Sequence, residues 1–430
     1  MNLRRDLPAS LVVFLVAVPL SLGIALASGA PVIAGLIGAV AGGIVTGLLA
    51  GSPLQVSGPA AGLTVVVFGL VQQLGWETVC LATACAGLVQ LLLGYLKVAR
   101  GTLVIAPSVV HGMLAGIGIS IALAQLHVLL GGAPASSPIA NLLALPARLG
   151  AFSPAAAILG VITIAVLVLW KKLPWAGLRA IPAPLVAVVV GTVVSLVAKM
   201  DVARVDLPEK LAFTQLKLPT EWGIFIVAVL TLAIIASIES LLCAVATDKL
   251  HSGPRSNLDK ELTAQGAGNL VSGLLGGLPI TGVIVRSSAN INAGGATRWS
   301  AVFHGVWILL CVLFLGSMIE SIPLAVLAGL LVHVGINLVN LHHIHELTVH
   351  NEVRIYWATV IGVTCVNLLA GVGIGVAVSV FYAIRRLSSV KIEKRQEDDI
   401  WKVAIRGTLT FACVPKINYE LSTLPAGSTV

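Results

Sequence analysis

Arg286 stands inside an otherwise apolar and small-residue stretch, GGLPITGVIVRSSANINAGG (residues 276–295), with Ser287 directly behind it. A guanidinium is permanently charged and offers a planar fork of donors that suits an oxyanion. An ionisable group inside an apolar segment is first of all a functional-site candidate. The plainer alternative is a structural ion pair with a carboxylate on a neighbouring helix. That carboxylate would be Glu239, the only acid in the interior of the run LAIIASIESLLCAVATDKL (232–250). Glu239 can carry a proton, help to hold a sodium ion, or simply balance Arg286. Cys243, one helical turn later, is a poor sodium ligand where Thr or Ser would be a good one. The proton is therefore the expected coupling ion, and sodium the less favoured one. Ser21 follows Pro19 in the first apolar run, where it either lines a pocket at a helix break or only packs.

These residues need a membrane to make sense. The chain has 430 residues, 57% of them hydrophobic and only 10% charged, with 44 Gly and a mean hydropathy of +1.02. Apolar runs near the roughly 18–20 residues of a spanning helix recur along almost its whole length. The first run flows into a second after Pro31 and lacks a small-x-small cleavage pattern, so it reads as a span and not a leader. About fourteen segments are expected, at 9–29, 31–50, 57–73, 77–96, 104–130, 153–170, 181–199, 222–247, 258–275, 281–293, 298–319, 322–340, 354–369 and 371–387. Lys and Arg fall in alternate loops, Arg148 excepted, which places both termini in the cytoplasm and the protein in the plasma (inner) membrane. The net charge of +8 is explained by those loops and implies a lipid bilayer, not nucleic acid, as the partner.

Two segments, 57–73 and 281–293, are too short to cross alone. GLLAGSPLQ (47–55) leads into the first and GLLGGLPIT (273–281) into the second, and most of their positions match. Short, Gly/Pro-interrupted segments at corresponding places in two halves point to a binding site at the midplane. A half-helix beginning there leaves its first N–H groups unpartnered, and with the helix dipole they form an anion site. Pro59 suits a first helical turn, and Gly58 and Gly282 allow close backbone approach. QVSGPAAG (55–62) and LPITGVIV (278–285) should thus be extended stretches opening half-helices from opposite sides. The expected substrate site comprises Ser21, Gly58, Pro59, Ala60, Ala61, Gly282, Val283, Ile284, Arg286 and Ser287, with Glu239 and Cys243 at the ion-coupling position.

Other features carry less. The six cysteines read as small buried hydrophobes. LHHIHELTVH (341–350) has metal-like spacing but reads as a solvated juxtamembrane loop, and no metal site is expected. GVGIGVAVS is helix packing, since no strand precedes it. With no triad spacing and no cofactor loop, the chain is not expected to be an enzyme or to hold a cofactor. After Val390, KIEKRQEDD reads as a charged linker, IWKVAIRGTLTF as a strand, VPKINYELSTLP as a short helix and GSTV as the start of another strand.

The runs VPLSLGIALASG (18–29), GLLAGSPLQVSGPAAGLTVVV (47–67), LLCAVATDKLHSGPRSNLDKELTAQGAGNLVSGLLGGLPITG (241–282) and IPLAVLAGLLVHVGINL (322–338) resemble the SulP family of inorganic-anion transporters. The resemblance covers residues 1–388, and residues 389–430 resemble a linker and the first part of a STAS domain. It implies an all-α polytopic fold, a seven-plus-seven inverted repeat like that of uracil permeases, with core and gate domains and usually a homodimer. It implies a small inorganic anion (sulfate, bicarbonate or chloride) bound between the third and tenth segments, where Ala60, Ala61, Gly282, Val283 and Arg286 match the family's binding region. Arg at 286 is similar to the sulfate-type and exchanger branches. The sodium-dependent bicarbonate branch has a small residue there and Thr at the place of Cys243, and the first segment lacks the Tyr common in the family signature. A nucleobase/proton or dicarboxylate/proton symporter on the same fold is the alternative.

Overall fold

The computed structural model of the chain describes residues 2–99, 106–135, 137–170, 172, 174, 181–206, 215–339, 344, 347–348, 352–366, 368–387, 391–397, 400–406 and 413–425. Within the described residues each of the fourteen expected segments is a helix or a broken helix, the third and tenth opening on a short strand, and the architecture is all-α and polytopic. The first half runs α1 (Leu3–Ala27), α2 (Val32–Ala41, continued by a π turn to Leu49), β1 (Ser57–Pro59), α3 (Thr64–Leu74), α4 (Trp76–Tyr95), α5 (Pro107–Leu129), α6 (Pro138–Gly150), α7 (Pro154–Trp170) and α8 (Ala183–Val197). The second half runs α9 (Trp222–Lys249), α10 (Leu258–Leu274), β2 (Ile280–Gly282), α11 (Ile284–Asn292), α12 (Trp299–Phe314), α13 (Gly316–Glu320), α14 (Leu324–Leu338), α15 (Val353–Cys365) and α16 (Leu368–Leu387). Among the described residues, α1, α4, α5, α9 and the broken helix Val32–Leu49 are each long and apolar enough to cross a bilayer.

The helices pack in two groups. One holds α1 to α4 with α9 to α12, and the other α5 to α8 with α14 to α16. Small residues set the distances. In the first group α4 and α10 touch backbone to backbone, and a methyl added at Gly87 would lie 2.4 Å from the Leu270 nitrogen. Side chains such as Leu232, Ile117 and Leu63 fill the spaces left between helices and are almost wholly buried. Large apolar side chains such as Val227, Phe314 and Phe381 remain on the outer surface, the distribution of a chain solvated by lipid.

Three expectations need correction. Pro19 does not break the first helix, which runs without interruption from Leu3 to Ala27. The stretch between α5 and α7, expected as an outer loop, contains α6. Ser137 caps it by accepting from the Ala140 N–H at 3.2 Å and Pro138 opens its first turn. At 13 residues, with Pro146 inside, it is too short to read as a span, and it bends 118° into α7. The charged run after Val390 is not a linker but a strand. β3 (Lys391–Glu397) pairs antiparallel with β4 (Ile400–Arg406), Ile392 opposite Ile405, and α17 (Val414–Ser422) follows. Ile392 is the one apolar residue of β3, so a hydrophobic-pattern reading finds no alternation there. GSTV and most of the histidine cluster, including His342, His343, His345 and His350, lie outside the described residues.

Candidate functional site

The centre of the first helix group is a two-stranded antiparallel ribbon made from the two peptides that lead into the short segments. Ser57 pairs with Gly282, Gly58 with Thr281 and Pro59 with Ile280. From this ribbon the chain leaves in two directions. After Pro59 it makes a tight turn, Ala61–Leu63, and enters α3; after Gly282 it enters α11 through Val283. The two half-helix N-termini are therefore tied to one another by main-chain hydrogen bonds, not only brought near. Val283 extends the pairing by donating to the Val56 carbonyl at 2.9 Å. Ser287 closes it from the side. Its hydroxyl accepts from the Val56 N–H at 3.0 Å and donates to the Val283 carbonyl at 2.8 Å.

Arg286 points back into this ribbon. It is fully buried. Nη2 donates to Ser21 Oγ at 2.9 Å and to the Pro59 carbonyl at 3.3 Å, so the cation of one half grips the strand of the other. Nη1 lies over Gly58, where an added methyl would sit 2.2 Å from it. Nε and Nη1 have no hydrogen-bond partner among the described residues, and no carboxylate there approaches the guanidinium within 4.0 Å. The Arg286–Glu239 ion pair is thus not formed. A buried cation without a counter-charge costs on the order of several kcal/mol, and an anion arriving at the ribbon would offset part of that cost.

Glu239 instead faces the first half-helix. Its carboxylate lies against Gly62, where a methyl would come 1.8 Å from Oε1, and its buried Oε2 has no hydrogen-bond partner among the described residues. Glu239 as a whole is partly exposed, as are Ala61 and Val283. Ile284 and Val285 are 39% and 50% exposed. These residues, with the unpartnered first N–H groups of α11, form the accessible lip of the site. Gly58, Pro59, Ala60, Gly282, Ser287, Ser21 and Arg286 are buried behind it. Cys243 belongs to that rear layer, 3.8 Å from both the Ser287 and Thr247 hydroxyls.

The ribbon is held by a row of polar side chains on α10 whose role the sequence reading did not assign. Glu261 accepts from the Gly51 and Ser52 N–H groups at 2.9 and 2.8 Å, from Gln55 Nε2 at 3.1 Å and from Gln265 Nε2 at 2.8 Å. Gln265 Nε2 also donates to Ser57 Oγ at 2.6 Å. One turn on, Asn269 serves the other peptide, with Nδ2 donating to the Ile280 carbonyl at 2.9 Å and Oδ1 accepting from its N–H at 2.7 Å. Ser272 donates to the Leu278 carbonyl at 2.6 Å, and Ser240 of α9 accepts from the Gly282 N–H at 3.2 Å. One helix face thus fixes both lead-in peptides. The signal was present: Glu261, Gln265, Asn269 and Ser272 recur at helical spacing in a segment otherwise rich in Gly and Ala.

With this geometry in hand, likeness to known proteins is informative. The sulfate permease family profile matches residues 3–359. The bicarbonate transporter BicA of Picosynechococcus sp. is 31% identical over 421 residues, covering 92% of this chain and 72% of that protein. YvdB of Bacillus subtilis, named for sulfate transport, is 29% identical over 442 residues, covering 97% of this chain and 82% of its own. The solved transmembrane domain of a cyanobacterial BicA superposes with a TM-score of 0.79 at 29% identity, over 87% of this chain and 98% of that one. The murine Slc26a9 anion transporter in its inward-facing state gives a TM-score of 0.84 at 18% identity, over 99% of this chain and 79% of that one, a likeness of fold alone.

Proposed function

The chain belongs to the sulfate permease family, and we propose that it is a secondary active transporter of a small inorganic anion: sulfate, bicarbonate or chloride. The observation that carries this reading is the ribbon of Ser57–Pro59 and Ile280–Gly282, which aims two half-helix starts at one place and backs them with the unpaired guanidinium of Arg286. Free N–H groups, two helix dipoles and a buried cation are what an oxyanion or halide needs and what a neutral nucleobase does not.

In this reading the anion sits at the lip formed by Ala61, Val283 and Ile284, with Arg286 supplying field from behind. Ser21 and the Pro59 carbonyl hold the guanidinium in place. Transport is a rocking of the α1–α4/α9–α12 group, the core, against the α5–α8/α14–α16 group, the gate. Glu239 lies beside the start of α3, where an ionised carboxylate and an arriving anion repel each other, so proton and anion would travel together. The transport unit spans residues 1–388, sits in the plasma membrane with both termini cytoplasmic, and pairs as a homodimer. Residues 389–430 make up a partial STAS-like segment.

Uptake of labelled sulfate and labelled bicarbonate into proteoliposomes tests this, with chloride, fumarate and uracil as competitors and with or without an inward proton gradient. Saturable uptake blocked by an inorganic anion and untouched by uracil supports it. Competition by uracil or fumarate alone would replace it by the nucleobase or dicarboxylate reading.

A further inference from the structure

The short helix α6 has no part in the ribbon, and one of its faces is bare. Ile139, Leu142, Leu143, Pro146 and Leu149 recur at helical spacing and form one stripe. Leu142 and Leu143 are 54% and 75% exposed, and the other three are exposed as well. What polarity the helix has lies on the opposite face. Asn141 is buried there. Arg148, the sole charged residue of α6, lies over Gly132, where an added methyl would sit 2.2 Å from its guanidinium carbon. The cation that breaks the alternation of basic loops is thus folded back onto the turn after α5, and no charge interrupts the apolar stripe.

Two contacts set the level of α6. In the last turn of α5, His127 donates from Nε2 to the Asn141 carbonyl at 2.9 Å. Just past the other end of α6, the Ser153 N–H donates to the Leu130 carbonyl at 3.0 Å. Both ends are therefore tied to the end of α5, a helix long and apolar enough to cross a bilayer, and α6 sits at a bilayer boundary. The 118° bend into α7 lays it across that helix and not along it. Its 13 residues reach about 20 Å, short of the roughly 30 Å hydrocarbon core. Pro146 has no N–H to offer the Leu142 carbonyl, a lack that water makes good at the boundary and that hydrocarbon does not.

We propose that α6 is a membrane-surface helix: it lies along the boundary of one leaflet, and its stripe from Ile139 to Leu149 takes the acyl chains of bilayer phospholipids. The occupant is lipid and not a second copy of the chain for two reasons. The stripe stands at the level where acyl chains begin, and it runs on through the exposed Phe152 into Ile158 and Val161 on the exposed face of α7. This surface anchors the second helix group to the bilayer whether or not an anion is carried.

Spin labels test this on the full chain in phosphatidylcholine vesicles. The six cysteines are first replaced by Ser or Ala. Labels are then placed singly at Leu142→Cys, Leu143→Cys and Leu149→Cys, with Val161→Cys on α7 as the lipid reference and Tyr419→Cys in the tail as the water reference. Thermal unfolding checks each variant, and any one folded α6 variant suffices. At the α6 positions the ratio of collisions with oxygen to collisions with a water-soluble nickel complex should be at least about threefold that at Tyr419, and below that at Val161. A ratio equal to that at Tyr419 would place the stripe in water and overturn the proposal. Shielding from both reagents with spin–spin broadening would place a second copy on the stripe and overturn it too. A ratio equal to that at Val161 would show a helix sunk in hydrocarbon and overturn the boundary position. The unsubstituted chain gives a second measurement. A carbene generated on the phospholipid acyl chain should label the 138–150 peptide as well as α7, and labelling of α7 without α6 would contradict the proposal.

Discussion

Ala60, Gly62, Leu63 and Thr64, at the start of α3, are buried, whereas Ile284 and Val285, at the start of α11, are 39% and 50% exposed. The two half-helices spring from the same ribbon and have equivalent places in their halves, yet their surroundings differ in kind. The second half contributes both ionisable groups, and each acts across the ribbon on the first: Arg286 on Gly58 and Pro59, Glu239 on Gly62. The first half contributes room. A repeat has been divided between a half that carries charge and a half that makes space for it, and the consequences of altering each side differ accordingly.

The sharpest break in that division comes from filling the space. Gly62→Val and Gly58→Val place branched carbons where the Glu239 carboxylate and the Arg286 guanidinium lie. Overpacking costs about 1–3 kcal/mol in ordinary cores, and here it also displaces the charges. Anion uptake should fall at least about 100-fold, read as initial rates at matched protein density. The same substitution at Gly69, where an added methyl meets nothing within 4 Å, should leave uptake close to wild type.

Next is the helix that holds both sides. Glu261→Ala removes the acceptor of four donors and should cost more than about 3 kcal/mol, since each stranded buried donor costs about 1–3 kcal/mol. Asn269→Leu strands only the Ile280 peptide and Gln90, for about 1–3 kcal/mol. Thermal unfolding in detergent orders the two. If Asn269→Leu were the more damaging, the second lead-in peptide and not the first would be the weaker partner.

A gentler change sharpens the charge side. Glu239→Gln keeps the shape beside Gly62 and removes the proton-carrying group. Uptake driven by an inward proton gradient should lose its gradient dependence, while gradient-free exchange stays within about threefold, since the half-helix N–H groups are untouched. Gradient dependence that survives would remove Glu239 from coupling.

The smallest effect is expected far from the ribbon, in the tail. Lys394 Nζ lies 2.6 Å from Glu420 Oε2 and holds that carboxyl below the usual range. A lowered carboxyl contributes stability above its ordinary value and loses it as pH falls through the folded value. The pair is partly open to solvent and screened, so Glu420→Gln should leave tail unfolding at neutral pH within error, and any difference from wild type should vanish on acidification. A large change would mean the hairpin and α17 depend on this contact.

Much of this was legible in the sequence. The spans follow from apolar length, and the short segments follow from Gly and Pro breaking runs that would otherwise cross. The matching lead-in peptides at 47–55 and 273–281 placed the two half-helices correctly. The pairing of Ser57–Pro59 with Ile280–Gly282 was not legible, because three-residue strands from opposite halves carry no local pattern that names a partner. The direction of Arg286 was hidden for a similar reason. A helix position fixes a face, but the space that receives the side chain is made by Gly58 on another peptide. The α10 row of Glu261, Gln265, Asn269 and Ser272 was visible as polar periodicity. Its meaning was not, since these side chains serve backbone groups of loops more than other side chains.

The central claim is that an unpaired, buried Arg286 supplies the charge that holds the anion. Calorimetric titration of sulfate and bicarbonate into purified wild type and Arg286→Ala, after both are shown to be folded, tests it most directly. Loss of one charge-assisted interaction is worth about 1.5–3 kcal/mol, so the account predicts binding of the transported anion weakened by roughly 10- to 100-fold in the variant. Equal affinity in the two proteins would contradict it, and would leave the half-helix N–H groups alone to hold the anion.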